Sequence, residues 1–119
     1  MNDTTKHTAN ATTDVGEFFS DLDGGMFERM LSKALSDTAA AAVDNDKTGK
    51  VTVDLTFKKI PGTAQVHCAH TIKFVCPTSD GKRGEEATRT TAMHVGQSGR
   101  LSLAPENQLS FLGRAGQPA

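Results

Sequence analysis

The chain contains no tryptophan and no tyrosine, and six phenylalanines are its only large aromatic side chains. Proteins that bind single-stranded nucleic acid without sequence preference stack bases on aromatic rings, each stack worth roughly 1–3 kcal/mol. The polar face of the predicted sheet offers only His67 as a flat ring. This composition argues against a stacking platform and leaves contacts to the phosphate backbone, which are weak and sensitive to salt.

Cysteine is also scarce, and the two thiols cannot pair with each other. Cys68 and Cys76 lie on one predicted strand, and eight residues at about 3.3 Å each separate them by about 26 Å. A disulfide bridges a far shorter distance. Buried free thiols are typical of a reducing compartment. The chain also lacks an apolar run that could span a bilayer and a secretion signal near residue 1, so we expect a cytoplasmic protein.

Both ends of the chain offer little for a core to bury. Residues 1–15 are rich in threonine and asparagine, which predicts a disordered segment. Residues 105–119 contain two prolines and two glycines and are predicted to form a flexible tail. A single domain over residues 16–104 remains, and because so small a core benefits from self-association, we expect a homodimer.

The clearest structural pattern is the alternation of apolar and polar residues on both sides of Pro61-Gly62. The residues predicted to share the apolar face of the first strand are Val51, Val53, Leu55 and Phe57. The period of two is that of a half-buried strand, and Pro-Gly fits the two central positions of a type II turn over residues 60–63. A tight turn there places Leu55 opposite Cys68, and a slip of one residue would mismatch the faces.

One amphipathic helix precedes this hairpin. Apolar residues recur at three- and four-residue spacing from Met26 to Val43, and the charged residues take the other side. Asn45 or Gly49 is expected to adopt the left-handed conformation that ends the helix. We expect a short turn at residues 18–22, in which the side chains of Phe18, Phe19 and Leu22 close one end of the core.

The remaining strands complete the predicted fold. Residues 77–88 form a polar segment that we predict to be a long loop, and strands are expected at 89–95 and 100–103 around the glycine-bracketed turn 96–99. The fold class is therefore α+β: one long amphipathic helix packed on a three- to four-stranded antiparallel meander sheet.

Charge is divided along the sequence. Residues 1–46 carry nine acidic and three basic residues, whereas residues 47–100 carry nine basic and four acidic residues. The acidic helical half could bind a basic groove of another protein, and the basic sheet could contact phosphates; the charges could equally solvate exposed faces. The candidate phosphate or nucleic-acid contacts are Lys58, Lys73, Lys82, Arg83, Arg89 and Arg100. The Gly-Lys-Arg-Gly sequence at 81–84 could form an anion-binding nest, although it does not match the phosphate-binding loop of nucleotide hydrolases.

The residues that could carry catalysis do not form a complete set. In the His67–His70 segment, strand alternation places Cys68 and His70 on one face, and only His94 could join them, so four zinc ligands are not evident. Cys68 with His94 lacks an orienting third group, and Glu85-Glu86 lies on the predicted loop, which would not hold two carboxylates at catalytic spacing. We predict no enzymatic activity, no cofactor and no metal, with His70 as a core histidine hydrogen-bonded to backbone.

The tail contains a possible docking peptide. Its candidate partner-binding residues are Gln108, Leu109, Phe111 and Leu112. Together with Ser110 they resemble the peptide by which bacterial replication and repair proteins dock on the sliding clamp, although the last two residues of that peptide are usually Leu then Phe. A flexible segment with apolar anchors can insert into a groove. Alternatively, this tail folds back onto the helix.

Several segments together resemble a known group of proteins. The segments are 49–53, 55–57, 70–74, 93–96 and 99–103. They are similar to a family of small uncharacterised phage and prophage proteins, with a resemblance that extends over about residues 17–112. The resemblance implies a phage genomic setting. We therefore predict a non-enzymatic, phage-type accessory binding protein that acts on host or phage machinery as an inhibitor or adaptor, in host takeover, anti-defence or DNA metabolism. The alternative hypothesis is a nucleic-acid or nucleotide-binding module that uses the basic sheet face and the 77–88 loop.

Overall fold

A computed structural model of the protein describes residues 12–104, and it confirms the α+β class. The elements in chain order are helix α1 (Val15–Asp21), a 3-10 turn (Leu22–Gly25), helix α2 (Met26–Asn45), and strands β1 (Lys50–Lys59), β2 (Gln65–Thr78), β3 (Gly81–Val95) and β4 (Leu101–Ser102), with a second 3-10 turn (Gln97–Gly99) before β4. The strands form one antiparallel sheet in the order β1-β2-β3-β4. The tail segment 108–112 lies outside the described residues, so its docking role and the disorder of both ends stay predictions.

The helices begin and end at residues with identifiable roles. Asp14 caps α1, because its carboxylate accepts a hydrogen bond from the backbone N–H of Glu17 at 3.2 Å. Asp46, with φ 51°, is the left-handed residue that ends α2, so the predicted cap at Asn45 or Gly49 is wrong. Aspartate tolerates this conformation. The Asn45 side chain instead donates hydrogen bonds to the carbonyl groups of Ala41 and Pro77, which fastens the end of α2 to β2.

The β1–β2 register differs from the prediction by two residues. Leu55 opposes His70 rather than Cys68, although the predicted turn forms, with Gly62 at φ 75°. The shift arises because strand pairing resumes only at Gln65, whose carbonyl accepts the N–H of Ile60 at 2.9 Å. The Thr63 hydroxyl stabilises this wider loop, since it bonds both the carbonyl of Ile60 and the N–H of Gln65. A shift of two residues leaves every side chain on its predicted face.

The predicted loop 77–88 is wrong, because these residues belong to two long strands. β2 continues to Thr78, the turn consists of Ser79 and Asp80, and β3 begins at Gly81. The Lys47 ammonium fixes the turn by donating to the carbonyls of Thr78 and Ser79 at 2.9 and 3.2 Å. Sequence periodicity missed the start of β3 because residues 81–86 are exposed, so no apolar face marks the strand.

The core lies between α2 and the middle strand β2. Its buried apolar residues are Phe18, Leu22, Phe27, Ala34, Cys68, Ile72 and Met93. Both cysteines are buried and unpaired, as predicted. Because α2 runs along β2 and contacts β1 far less, the helix covers the centre of the sheet and leaves part of both flanking strands, β1 and β3, open on the helix side.

Candidate functional site

The six predicted phosphate-contacting cations are divided between the two faces of the sheet. Strand register places Lys58, Lys73 and Lys82 on the face away from the helices, which we call the outer face, and Arg83 and Arg89 on the helix side. Arg100 lies between β3 and β4, where it donates to the carbonyl of Thr12 and to the Glu17 carboxylate at 3.1 Å. Its side chain is 16% exposed, so Arg100 holds the start of α1 against the sheet. The six do not form one basic patch.

The β3 strand is an open sheet edge over most of its length. Within residues 12–104, β4 pairs only with His94 and Val95, and residues 81–93 have β2 as their single neighbour. The Val95 N–H bonds the carbonyl of Ala64 at 2.9 Å, and the Gly96 N–H bonds that of Arg100 at 2.7 Å. Since alternate residues of a strand point their amides in opposite directions, the even-numbered residues of this segment direct N–H and C=O groups into solvent.

A shallow apolar cleft lies beside this edge on the helix side. It measures about 70 Å³ and lies between α2 and strands β2 and β3. Its lining residues are Met30, Ala34, Ile72, Phe74, Glu85, Glu86 and Ala87. Of the charged lining residues, Glu85 has its side chain on the helix side and Glu86 has its side chain on the outer face. The cleft therefore offers an apolar floor bordered by one carboxylate, that of Glu85, next to unpaired backbone groups.

Charged side chains flank the cleft along β3. The Arg83 guanidinium lies 5.9 Å from the centre of the Phe74 ring and 4.0 Å from the Glu85 carboxylate. At the other end, Arg89 is 3.6 Å from the Asp23 carboxylate. Both arginines are more than half exposed, so these weak surface contacts leave them able to bind other groups. On the helix side, β3 thus presents in order a positive, a negative, an apolar and a positive side chain, at residues 83, 85, 87 and 89.

A small polar cluster below Arg89 fastens β3 to the turn that precedes α2. The Thr91 hydroxyl accepts the backbone N–H of Asp23 and lies 2.9 Å from Nε2 of His70. This bond to a hydroxyl corrects the prediction that His70 bonds backbone, and it forms because Thr91 faces the helix side beside His70. The ring of Phe27 packs edge-on against His70 at 5.3 Å.

Burial shifts the pKa values of His70 and Cys68, the two candidate zinc ligands that share the helix-side face. It lowers the pKa of His70, an effect that the Asp23 carboxylate opposes and Arg89 reinforces. Burial also raises the pKa of the Cys68 thiol. The predicted partner of Cys68, His94, projects from the outer face, so the structure does not bring these two together. The cavity beside His70 measures only about 10 Å³, close to the minimum for one water molecule.

No metal-binding group is found among residues 12–104, where no three His, Cys, Asp or Glu side chains converge. Cys68 and His70 do share a face, as predicted, but His67 lies on the other. In the same residues no helix is both long and apolar enough to cross a bilayer.

The outer face is polar and carries more lysine than acid. Its charged residues are Lys50, Asp54, Lys58, Lys73, Lys82 and Glu86, and threonines occupy many positions between them. His94 joins His67 on this face, so the two imidazoles are its only aromatic rings within the described strands. The alternation of apolar and polar residues predicts this polar face but not the cleft. One signal for the cleft existed: Ala87 is the single small apolar residue among alternating charges.

Comparison with known proteins places the chain in a family. Over 107 residues it is 36% identical to the protein named "Uncharacterized protein YfdP" of Escherichia coli (strain K12), and the alignment covers 90% of this chain and 88% of the E. coli protein. No solved structure matches the chain. A profile of the YfdP family matches residues 14–101, from the cap of α1 to the first residue of β4. That span includes the cleft and the open β3 edge, and the chain belongs to the YfdP family.

Proposed function

We propose that the protein acts by binding another protein, and that the open β3 edge with its cleft accepts an extended segment of that partner. The observation that carries the proposal is the position of an apolar cleft beside a strand edge with unpaired backbone groups. Adding a strand to an open edge supplies main-chain hydrogen bonds, and pockets for alternate side chains supply specificity.

The geometry defines the chemistry of the segment. An extended chain paired to β3 directs every second side chain toward the helix side. One of these reaches the cleft at Ala87, where an aliphatic side chain fits the floor formed by Met30 and Phe74. An acidic side chain two residues away on one side would meet Arg89, and one four residues away on the other side would meet Arg83, beyond the Glu85 carboxylate. We therefore expect an extended segment with one aliphatic anchor, an acidic residue two positions to one side and another four positions to the other.

The wider role that we propose is that of a cytoplasmic, non-enzymatic accessory protein of phage type, which inhibits or redirects a host or phage protein. Support comes from the resemblance to small phage and prophage proteins noted above, and from the acidic α1–α2 half, which adds a charged surface for protein contact. Anti-defence and DNA metabolism are the two processes in which we place the partner.

Capture of partners with paired edge variants tests this proposal. The Thr90 N–H points into solvent by the alternation described above, so Thr90→Pro removes an outward donor without breaking the ladder to β2. Thr90→Val is the matched control, because it changes the side chain and keeps the N–H. Ala87→Phe fills the cleft, and Thr88→Phe places the same bulk on the outer face of the same strand.

The expected result is one bacterial protein retained by the wild-type chain, Thr90→Val and Thr88→Phe, and lost with Thr90→Pro and Ala87→Phe. Isothermal titration with the purified partner should reproduce this order. Equal capture by all five chains would refute binding at the β3 edge. A loss of capture with Thr88→Phe but not with Ala87→Phe would refute it as well. Circular dichroism establishes that each variant is folded.

A second candidate function, contact with a nucleic-acid backbone, is favoured by the excess of lysine on the outer face. Four lysines there outnumber two acids, but the division of the arginines to the other face leaves few phosphate contacts. Because such binding falls steeply with salt, we expect no shift of single- or double-stranded DNA at physiological salt. A clear shift that Lys73→Ala together with Lys82→Ala abolishes would favour this second function over the first.

A further inference from the structure

The β1 edge has an apolar helix-side face that α2 leaves partly open. Phe57 is 49% exposed, and Val53 and Leu55 are only partly buried although they pack against the core. Helical periodicity places Leu35, 51% exposed, on the flank of α2 away from Met30, whose side chain lines the cleft near β3. Apolar side chains are thus exposed along both sides of the groove between α2 and β1.

The backbone of β1 also has no strand partner along its edge away from β2, within the described residues. Within the described part of the chain, β2 is the only neighbour of β1, and the pairing runs from Lys50 to Lys59 without a bulge. The N–H of Ile60 points toward β2, so the odd-numbered residues 51–59 direct their N–H and C=O groups outward. A strand of this length with no proline is a template for pairing with another strand.

The charges of β1 indicate which strand fits. Asp54 is the only acid of β1 and lies on its outer face, Lys58 follows four residues later on the same face, and both are exposed. Neither has an ion pair within residues 12–104. A second copy related by a two-fold axis at Thr56 opposes Asp54 to Lys58, and by symmetry the contact occurs twice. These are non-hydrogen-bonded positions, where opposing side chains approach most closely.

The same register also covers the exposed ring. It places Phe57 opposite Leu55 of the second copy, again twice, on the helix side. An axis at Thr52 would also oppose Asp54 to a lysine, Lys50, but it leaves Phe57 beyond the paired strands. An axis at Asp54 itself would oppose two aspartates. The Thr56 register therefore satisfies charge and apolar burial together.

We propose that β1 pairs with β1 of a second copy about a two-fold axis at Thr56, which joins two sheets into one eight-stranded antiparallel sheet with all helices on one face. The occupant of the β1 edge is thus another copy of this chain. The pairing is independent of the proposed function, because it leaves the β3 edges free at the two ends of the joined sheet.

Charge reversal tests the register. Sedimentation velocity of the full wild-type chain, whose monomer mass is 12.6 kDa, should give a dimer. Asp54→Lys and Lys58→Asp each create two like-charge oppositions, and each should raise the dimer dissociation constant about tenfold or more. An equimolar mixture of the two variants should form heterodimers, because every acidic side chain at positions 54 and 58 then faces a basic one.

Lys82→Asp is the matched control, since Lys82 lies on the same outer face but on β3, and it should leave the dimer unchanged. Thermal unfolding of each variant establishes that it is folded. A monomeric wild-type chain at high concentration overturns the proposal. So does a dimer that survives both single reversals, or a mixture that fails to form heterodimers. Retention of a partner at β3 is measured separately, so the two proposals can fail independently.

Discussion

The two flanking strands of this sheet have opposite chemistry on the helix side. β1 presents Val53, Leu55 and Phe57, whereas β3 presents charged residues interrupted by Ala87. Both strands leave one row of backbone amides unpaired within residues 12–104. The contrast teaches that an unpaired edge alone does not define a partner. Side chains do: the apolar edge suits a buried, symmetric contact, and the charged edge suits a segment of complementary charge.

The largest expected loss of stability comes from a substitution in the core that supports both edge strands. Phe27 is 2% exposed and contacts Phe19 and His70. Phe27→Ala should lower the free energy of unfolding by about 3–5 kcal/mol because it leaves a cavity in the core. Phe57→Ala, measured at a concentration where the chain is monomeric, should cost far less. Equal losses in denaturant titrations would mean that the β1 edge is as buried as the core.

The second largest difference in stability is expected between alanine substitutions of the glycines at the starts of the two edge strands. A Cβ on Gly49, just before β1, would lie 2.6 Å from Cγ2 of Thr38 and 3.1 Å from its carbonyl oxygen, whereas on Gly81 the nearest atom is 3.8 Å away. Gly49→Ala should therefore destabilise the fold by about 1–3 kcal/mol. Gly81→Ala, at the start of β3, should be near neutral. Thermal unfolding of both variants decides this, and a neutral Gly49→Ala would contradict the close packing between α2 and β1.

Acid should weaken the attachment of β3. Burial lowers the pKa of His70, so above about pH 6.5 the ring is neutral in both the folded and unfolded states. Below that pH the unfolded chain takes up a proton that the folded chain resists, and stability falls until the folded pKa is passed. His70→Gln should reduce this decline in stability measured between pH 7 and 5. His67→Gln, on the outer face, should retain it.

The smallest expected change in stability comes from the charges of the β3 edge. Arg89 is 59% exposed and lies 3.6 Å from Asp23, so Arg89→Ala should alter the free energy of unfolding by less than about 1 kcal/mol. Its effect on partner capture should be larger, because we propose that Arg89 contacts an acidic side chain of the partner segment at β3. Lys33→Ala, which breaks the exposed pair with Asp37, is the control. A loss of capture with Lys33→Ala alone would assign binding to α2 instead.

The sequence predicts those parts of the fold in which one buried face produces a regular spacing of apolar residues. Alternation in β1 and the three- and four-residue spacing in α2 identify both elements and their faces, because each packs one side against the core. The first half of β3 has no such signal, since Lys82 through Glu86 are exposed on both faces. The two-residue register error has a different origin, the side-chain bonds of Thr63, which no periodicity records.

The candidate site could be predicted only in part. Lys58 and Lys73 lie on the outer face, as their positions in the alternating pattern predict, whereas Lys82, assigned to the predicted loop, lies there by the observed β3 register. The placement of Arg83 and Arg89 on the helix side follows only from the observed β3 register. The cleft needs Met30 and Ala87 to approach from elements far apart in sequence, and single-sequence patterns hold no information about that distance.

The charged helix-side row of β3 also disfavours one way in which open sheet edges could join molecules into fibres. Were β1 of one molecule to dock on β3 of the next, the contact would be head-to-tail and would repeat without limit. In that arrangement Leu55 and Phe57 would press against Arg83, Glu85 or Arg89, which would lose water without gaining a partner. The row thus works against open-ended polymers at high concentration, while the proposed symmetric pair through β1 would bury the apolar edge and stop growth at two chains.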